Sequence, residues 1–334
     1  MEEYPSIPME RTGKILRRSI HTFLQNYHYF TTVPTLLAFP FSAAVLLSQA
    51  LLPFSALLPT VYHRLRSLFQ AAGFPPSSEF FSILNIKLSQ TITSSILVLP
   101  FTLSFLLLAK ASIIQALCRH KPTVLPSFAS FISTYNHILL TQVCNFFIIL
   151  SANAACFSVL FIAFNCLQAY GYSSPGSLLF LSATGAVLYS IVLANALIVC
   201  NLALVSSGMD KLGGYLAFLK AGILIRGRTA TALALALPIN LALAAVEALF
   251  QFRVVRAYYA ARSSSPSTAL EGIFIAYLYS IIIVIDTIVS CAFLRSCKTA
   301  SQMDQEGRCS FQISIEGQDV NHRGSNIKTF QGLP

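Results

Sequence analysis

Between Lys121 and Asp210 the sequence contains no aspartate, glutamate, lysine or arginine. A water-soluble surface needs charged side chains at far closer intervals, so this block belongs to no soluble domain. It is more than four times the roughly 20 apolar residues that cross a bilayer, and it must cross at least twice with a turn between. Over all 334 residues only 10 % are charged and 55 % are hydrophobic, against about 25 % charged in soluble domains. Length is therefore read as membrane crossings, not as a count of soluble domains.

Other absences narrow the function. There is no GxSxG, HExxH, P-loop or GxGxxG pattern, so the usual signatures of hydrolases, zinc proteases and nucleotide-binding enzymes are missing. The histidines are mostly juxtamembrane (His21, His28, His63, His120, His137), and the expected spans contain no histidine with a partner. No enzymatic activity, cofactor or metal is expected. The net charge of +10 comes without an Arg-rich tract, an RNP-like motif or a zinc spacing. Nucleic acid is therefore not the expected partner; most cations sit beside apolar runs, where they meet lipid headgroups.

No CxxC pair occurs among the eight cysteines. Cys144, Cys156, Cys166 and Cys200 lie in or beside apolar runs, as small core hydrophobes do. Cys118, Cys291 and Cys297 lie at membrane edges near basic residues. That is the setting for reversible S-acylation, with Cys118 and Cys297 the candidates and an unmodified thiol the alternative. No Asn-x-Ser/Thr sequon marks a glycosylated lumenal loop. The first apolar run starts near Phe30 and is too long for a cleavable signal, so it is expected to serve as an uncleaved anchor. Glu2 stands where N-myristoylation requires glycine.

What is present is a set of six apolar runs, near 33–59, 88–109, 138–164, 177–206, 229–250 and 272–294. Each is long enough for a tilted helix at about 1.5 Å per residue. Lys87 and Lys110 bound the second, and the turn signal Gly171-Tyr-Ser-Ser-Pro-Gly176 separates the third from the fourth. The expected fold is all-α: a polytopic membrane bundle of six helices with interfacial amphipathic helices on the cytosolic side. Residues 1–32 form a cytosolic N-terminus, 33–295 the membrane domain and 296–334 a cytosolic tail. Of 22 basic residues, 16 fall on the side that holds both termini, which places both in the cytosol by the excess of Lys and Arg. Arg64, Arg66 and Lys87 in the first outer loop run against that rule.

Ahead of the first span, Leu16, Ile20, Phe23, Leu24 and Tyr27 share one helical face, with Lys14, Arg17, Arg18, His21, Gln25 and His28 opposite. An interfacial helix is expected there, with Lys14, Arg17, Arg18 and His21 as candidate contacts to anionic headgroups at about 1 kcal/mol per charge; a collar packed along the bundle is the alternative. Phe131-Ile-Ser-Thr-Tyr135 matches Phe23-Leu-Gln-Asn-Tyr27 in register, and Tyr215-Leu-Ala-Phe-Leu219 holds the equivalent place before the fifth span. Three units, each an interfacial helix and a two-span hairpin, would account for these matches. After Lys298 the chain turns polar, rich in Ser, Gln, Gly and Asn, and a disordered tail is expected.

Lys14-Ile-Leu-Arg-Arg-Ser-Ile20, Phe23-Leu and Phe30 leading into a proline-bearing span, together with the closing Phe293-Leu-Arg-Ser-Cys297, resemble a family of plant multi-pass membrane proteins of unassigned function. The resemblance covers most of residues 10–298. More loosely, the chain is similar to the membrane portion ahead of some bacterial glycerophosphodiester phosphodiesterases, without their catalytic domain. The resemblance implies six helices and a eukaryotic endomembrane (ER) or plasma membrane, and no activity.

Asp286 is the residue in the spans with most chemical potential, preceded by Ile281-Ile-Ile-Val-Ile285. A carboxylate there costs roughly 2.5–3.5 kcal/mol on insertion scales and should face the bundle interior. It would be a proton, cation or substrate site, or a helix-packing contact to Thr287, Ser290 or an asparagine on a neighbour. As an isolated acid without a basic partner it favours the packing role. Glu247 is expected near the outer end of the fifth span, at a different depth. Pro238 with Asn240 would kink that span. Asn145, Asn153, Asn165, Asn195 and Asn201 are expected to bond between helices, and Ala152, Ala154, Ala155 and Gly185 to allow close approach.

The favoured reading is a non-enzymatic membrane-organising or scaffold protein whose partners are anionic headgroups and other membrane proteins. The rival is a small transporter or channel using Asp286 and a Pro238–Asn240 break. A pore would bring several polar residues together at one depth.

Overall fold

The computed structural model describes residues 8–71, 79–118, 128–169, 175–261 and 266–328. Every regular element among them is helical: α1 (Pro8–Gln25), α2 (Tyr27–Leu51), α3 (Leu57–Ala71), α4 (Glu79–Phe101), α5 (Leu107–Cys118), α6 (Phe128–Ala169), α7 (Pro175–Asp210), α8 (Tyr215–Ile225), α9 (Thr229–Phe250), α10 (Arg256–Ala261) and α11 (Pro266–Lys328). Six stretches are long and apolar enough to cross a membrane: Tyr27–Phe54, Ser82–Cys118, Phe131–Leu167, Ala183–Asp210, Thr229–Tyr258 and Pro266–Gln302. Each overlaps one expected span. The protein is a multi-pass, all-α membrane bundle.

The differences have local causes. The second span was expected to stop before Lys110, yet α5 runs on to Cys118 with Lys110 only 7 % exposed. A lysine ends a span only when its charge must reach water, and this one has a polar partner inside the protein. The interfacial element expected before the third span is the first part of α6, since no glycine or proline interrupts Phe128–Ile138. Its counterpart α8 is a separate helix because Gly214 (φ +73°) and Gly227 (φ +82°) turn the chain in the left-handed region at its two ends. The turn signal at residues 171–174 lies outside the described residues; α7 opens on Pro175, where a missing N–H costs nothing. Beyond Lys298, α11 continues to Lys328, with no proline among residues 299–328 to stop it.

Helix α1 ends at Gln25, and a break at Asn26 (φ −116°, ψ 33°) redirects the chain into α2. It packs on α9 and α11 with one face. Its apolar face divides. Ile15, Leu16 and Phe23 turn into the bundle, while Ile20, Leu24 and Tyr27 stay exposed beside the exposed Lys14, Arg17, Arg18 and His21.

α11 is the axis of the fold. Its Ile275, Ala276 and Tyr279 pack with Leu46 and Phe250, its Val284 and Ile288 with Phe23, Phe30 and Ile113, and its Val289–Leu294 segment with α5, α7, α8 and α9. Polar clamps tie both ends. At one end Asp210 accepts from Lys220 at 3.0 Å, from Ser206 at 3.1 Å and from Lys298, while Arg295 donates to the Leu117 carbonyl. At the other, Gln49 donates to Glu247 at 3.1 Å, Tyr279 donates to Glu247 at 3.0 Å and Gln251 donates to Gln49 at 2.9 Å. The second, fourth and sixth spans therefore end together at the Asp210 end, and the first and fifth end together at the Glu247 end.

Close approach between helices rests on small residues. A Cβ on Gly208 would stand 2.8 Å from Ile114 Cδ1 and 3.0 Å from Ile138 Cδ1, in a buried cluster shared by α5, α6 and α7, whereas Gly222 has nothing within 4 Å. Gly208→Leu should lower stability by about 1–3 kcal/mol through overpacking, with Gly222→Leu close to wild type. Thermal unfolding in detergent, followed by loss of the monodisperse chromatographic peak, measures the contrast.

Candidate intramembrane polar site

The site is built from three helices whose sequences are otherwise apolar. On the α4–α5 side, Pro100 precedes a π-helical turn, Thr102–Leu106. Proline withholds an N–H from the helical ladder, and a π-turn carries extra residues that rotate everything after it. Tyr135 of α6 secures the turn by donating to the Leu103 carbonyl at 2.9 Å. After this turn the segment Ala109–Gln115 is wholly buried, and Lys110 enters the interior.

There Lys110 Nζ donates to Asn201 Oδ1 of α7 at 2.7 Å. The amide nitrogen of Asn201 donates in turn to Asp286 Oδ2 at 3.2 Å and to Ser290 Oγ at 3.3 Å, both on α11. Asn201 thus bridges a cation and an anion with opposite ends of its own dipole, the one amide orientation that satisfies both. Asp286 and Ser290, four residues apart, share a helical face. Asn201 and Asp286 each lie nine residues before the clamp residues Asp210 and Arg295 of their own helices, about 13 Å at the helical rise and so near mid-membrane.

Asp286 is therefore not the isolated acid that its sequence surroundings suggest. It belongs to a four-residue network with a lysine, and the criterion of polar residues meeting at one depth is met. The network forms the floor of a cavity of about 630 Å³ between α7, α9 and α11, which Phe41 of α2 and Asn240 of α9 also line. Volumes of 300–1,000 Å³ are usual for small-molecule sites. An ammonium has three donors and a carboxylate about four acceptor positions, and one of each is used within the network. The rest can meet a ligand.

The other sequence candidates fall as follows. Asn240 lines the cavity, but α9 runs unbroken through the exposed Pro238, so there is no helix break; one missing amide is tolerated in a ladder intact on both sides. The irregular turn of that span comes later, as a π-helical segment at Gln251–Val255. Cys118 is exposed at the end of α5, whereas Cys297 is buried, 1 % exposed. Asn145 donates to the Cys200 carbonyl at 3.0 Å and Asn153 accepts from Tyr189 at 2.9 Å, both joining α6 to α7. Asn165 and Asn195 bond only within their own helices, to the carbonyls of Phe161 and Ile191. Glu247 stands apart from Asp286, in the clamp at the far end. Lys110 is the member of the site that sequence reading missed. Apolar residues flank it on both sides, Leu106-Leu-Leu-Ala109 and Ala111-Ser-Ile-Ile114, a pattern that suits a span running through it as well as one ending there.

Removing one partner of a buried pair leaves the other charge uncompensated, at a cost of about 3–5 kcal/mol, while replacing both with apolar groups is far milder. Lys110→Met alone should be strongly destabilising, and Lys110→Met combined with Asp286→Leu should recover much of the loss. Unfolding free energies in a double-mutant cycle read the coupling. Simple additivity would mean that the two charges do not act on each other.

Comparison with curated proteins and comparison with solved structures each find no match. A family model described as "Domain of unknown function (DUF8558)" matches residues 10–306, which contain all six spans and every member of the polar network. The chain is a member of this uncharacterised family.

Proposed function

We propose that the protein binds a small solute within the membrane and acts as a non-enzymatic carrier, with the Lys110–Asn201–Asp286–Ser290 network as its binding floor. The observation that carries this reading is the convergence of four polar side chains on one cavity near mid-membrane. Glue between helices needs no adjoining cavity. The Asn145 and Tyr189 contacts between α6 and α7 do that work by direct hydrogen bonds, each worth roughly 0.6 kcal/mol. Transporter sites commonly lie at this depth, where polar groups replace the water that a solute leaves behind. The scaffold reading rested on the absence of such a convergence.

The proposal includes a setting. Both termini face the cytosol of an endomembrane or plasma membrane, and the exposed Lys14, Arg17, Arg18 and His21 of α1 meet anionic headgroups. The Asp210 end of the bundle, with Lys220, Arg228, Arg295 and Lys298, is then the cytosolic one. Tags at Met1 and Pro334 should both be digested in cells whose plasma membrane alone is permeabilised, while a protected tag would overturn that orientation.

Native mass spectrometry of the protein purified in nanodiscs from its own membranes should show a bound small molecule on the wild type. Asp286→Asn combined with Lys110→Met removes both charges together, so that neither is left uncompensated, and keeps shape and hydrogen-bonding capacity at position 286. This double variant should stay folded and lose the adduct at least tenfold. A double variant as fully loaded as wild type would return Lys110 and Asp286 to a packing role.

A further inference from the structure

Polar clamps lie at both ends of the bundle, and exposed leucines line the side of the cavity between them. At one end the Asp210–Lys220–Lys298 clamp joins α7, α8 and α11; at the other the Gln49–Glu247–Gln251–Tyr279 network joins α2, α9 and α11. Between these ends, α7 and α9 part at the side of the bundle. Leu197, Leu233 and Leu237 line the cavity there and are 48 %, 46 % and 66 % exposed. All three leucines lie within membrane-spanning helices, Leu197 centrally and Leu233 about one turn inside the end of its span, so what they face is the bilayer.

The chemistry of the walls and floor describes the occupant. The walls are leucine, isoleucine, valine, alanine and phenylalanine, which favour carbon over water by about 25 cal/mol per Å². The floor holds one group of each charge sign, so its formal charge is zero with Lys110 and Asp286 both ionised. It remains zero if the proton passes from one to the other. A ligand carrying a net charge would leave the site with that charge unbalanced near mid-membrane, where an ionised side chain costs at least 2.5–3.5 kcal/mol on insertion scales. A phospholipid lying in the bilayer would set its acyl chain, not its headgroup, against this floor. The fitting ligand is apolar over most of its length and ends in a compact uncharged group that both donates and accepts, such as a hydroxyl.

Resting on the carrier reading above, we infer that this site takes a neutral, hydroxyl-bearing amphiphile that arrives from the lipid between α7 and α9. Its polar end sits on the free positions of Lys110 and Asp286 and beside Asn240. Its apolar body lies along Leu197 and Leu237.

The chain has no tryptophan, which permits a clean test in nanodiscs with one indole at a time. Leu197→Trp places it at the opening. Phe147→Trp is the control: Phe147 is 67 % exposed on α6, outside the cavity, and matches Leu197 in depth because Asn145 of α6 bonds Cys200 of α7. The quenchers are 11-bromo-1-undecanol, 1-bromoundecane, 11-bromoundecyl sulfate and 11-bromoundecyl trimethylammonium. The alcohol should quench Leu197→Trp along a saturating curve, with half-effect at least fivefold below the concentration that quenches Phe147→Trp. Both Asn201→Leu and Asn240→Leu, introduced with Leu197→Trp, should weaken the saturable part several-fold; Asn240 is exposed and outside the network, so folding does not depend on it. Equal saturation by 1-bromoundecane would show that the polar floor selects nothing, and would overturn the inference. Tighter saturation by either charged quencher would overturn the neutral ligand while leaving the carrier reading intact. No saturable quenching by any of the four, with a bound mass still present in the wild-type protein, would overturn access from the lipid alone. No saturable quenching and no bound mass would sink both.

Discussion

The structure turns on one pairing: a lysine and an aspartate held near mid-membrane, joined through the amide of Asn201. Neither charge is tolerable there alone. Together they allow α5 to continue inward past Lys110, fix α7 against α11, and leave polar groups at the base of a cavity. The second span is nine residues longer at its Cys118 end than its apolar run suggests, because the pair removes the need for Lys110 to reach water.

The rest of the bundle can be read as support for that pairing. α11 is buried against partners along most of its membrane length and carries two of the four network residues. Clamps of charged and amide side chains hold its two ends, one centred on Asp210 and one on Glu247. Glycine at position 208 lets α7 lie close to Ile114 and Ile138, which keeps Asn201 within reach of Lys110. The side between α7 and α9 has no comparable clamp among the described residues, and it is where the cavity opens.

Much of the fold was legible in the sequence because a bilayer imposes a simple rule. Backbone polar groups must be satisfied internally, so every long uncharged run becomes a helix, and all six runs did. Asp286 was legible for the same reason, since a charge in hydrocarbon must face inward. Its partner was not. Lys110 sits where a span could end, and local sequence does not say whether an edge lysine rises to the headgroups or turns into the protein. That choice was made by Asn201, far away along the chain, and by a π-turn that no periodicity announces. The second interfacial helix failed for a different reason: similar apolar spacing occurs in a separate helix and in the opening turns of a longer one, and only the glycines around α8 tell them apart.

The most direct test is a high-resolution electron cryomicroscopy map of the protein in nanodiscs made with lipids of its own membrane. The account predicts Lys110, Asn201 and Asp286 in contact near mid-membrane. It also predicts elongated non-protein density between α7 and α9, with one end on that network. A map in which α7 and α9 close directly on each other, with Leu197 packed against Leu237 and no space above Asp286, would contradict it.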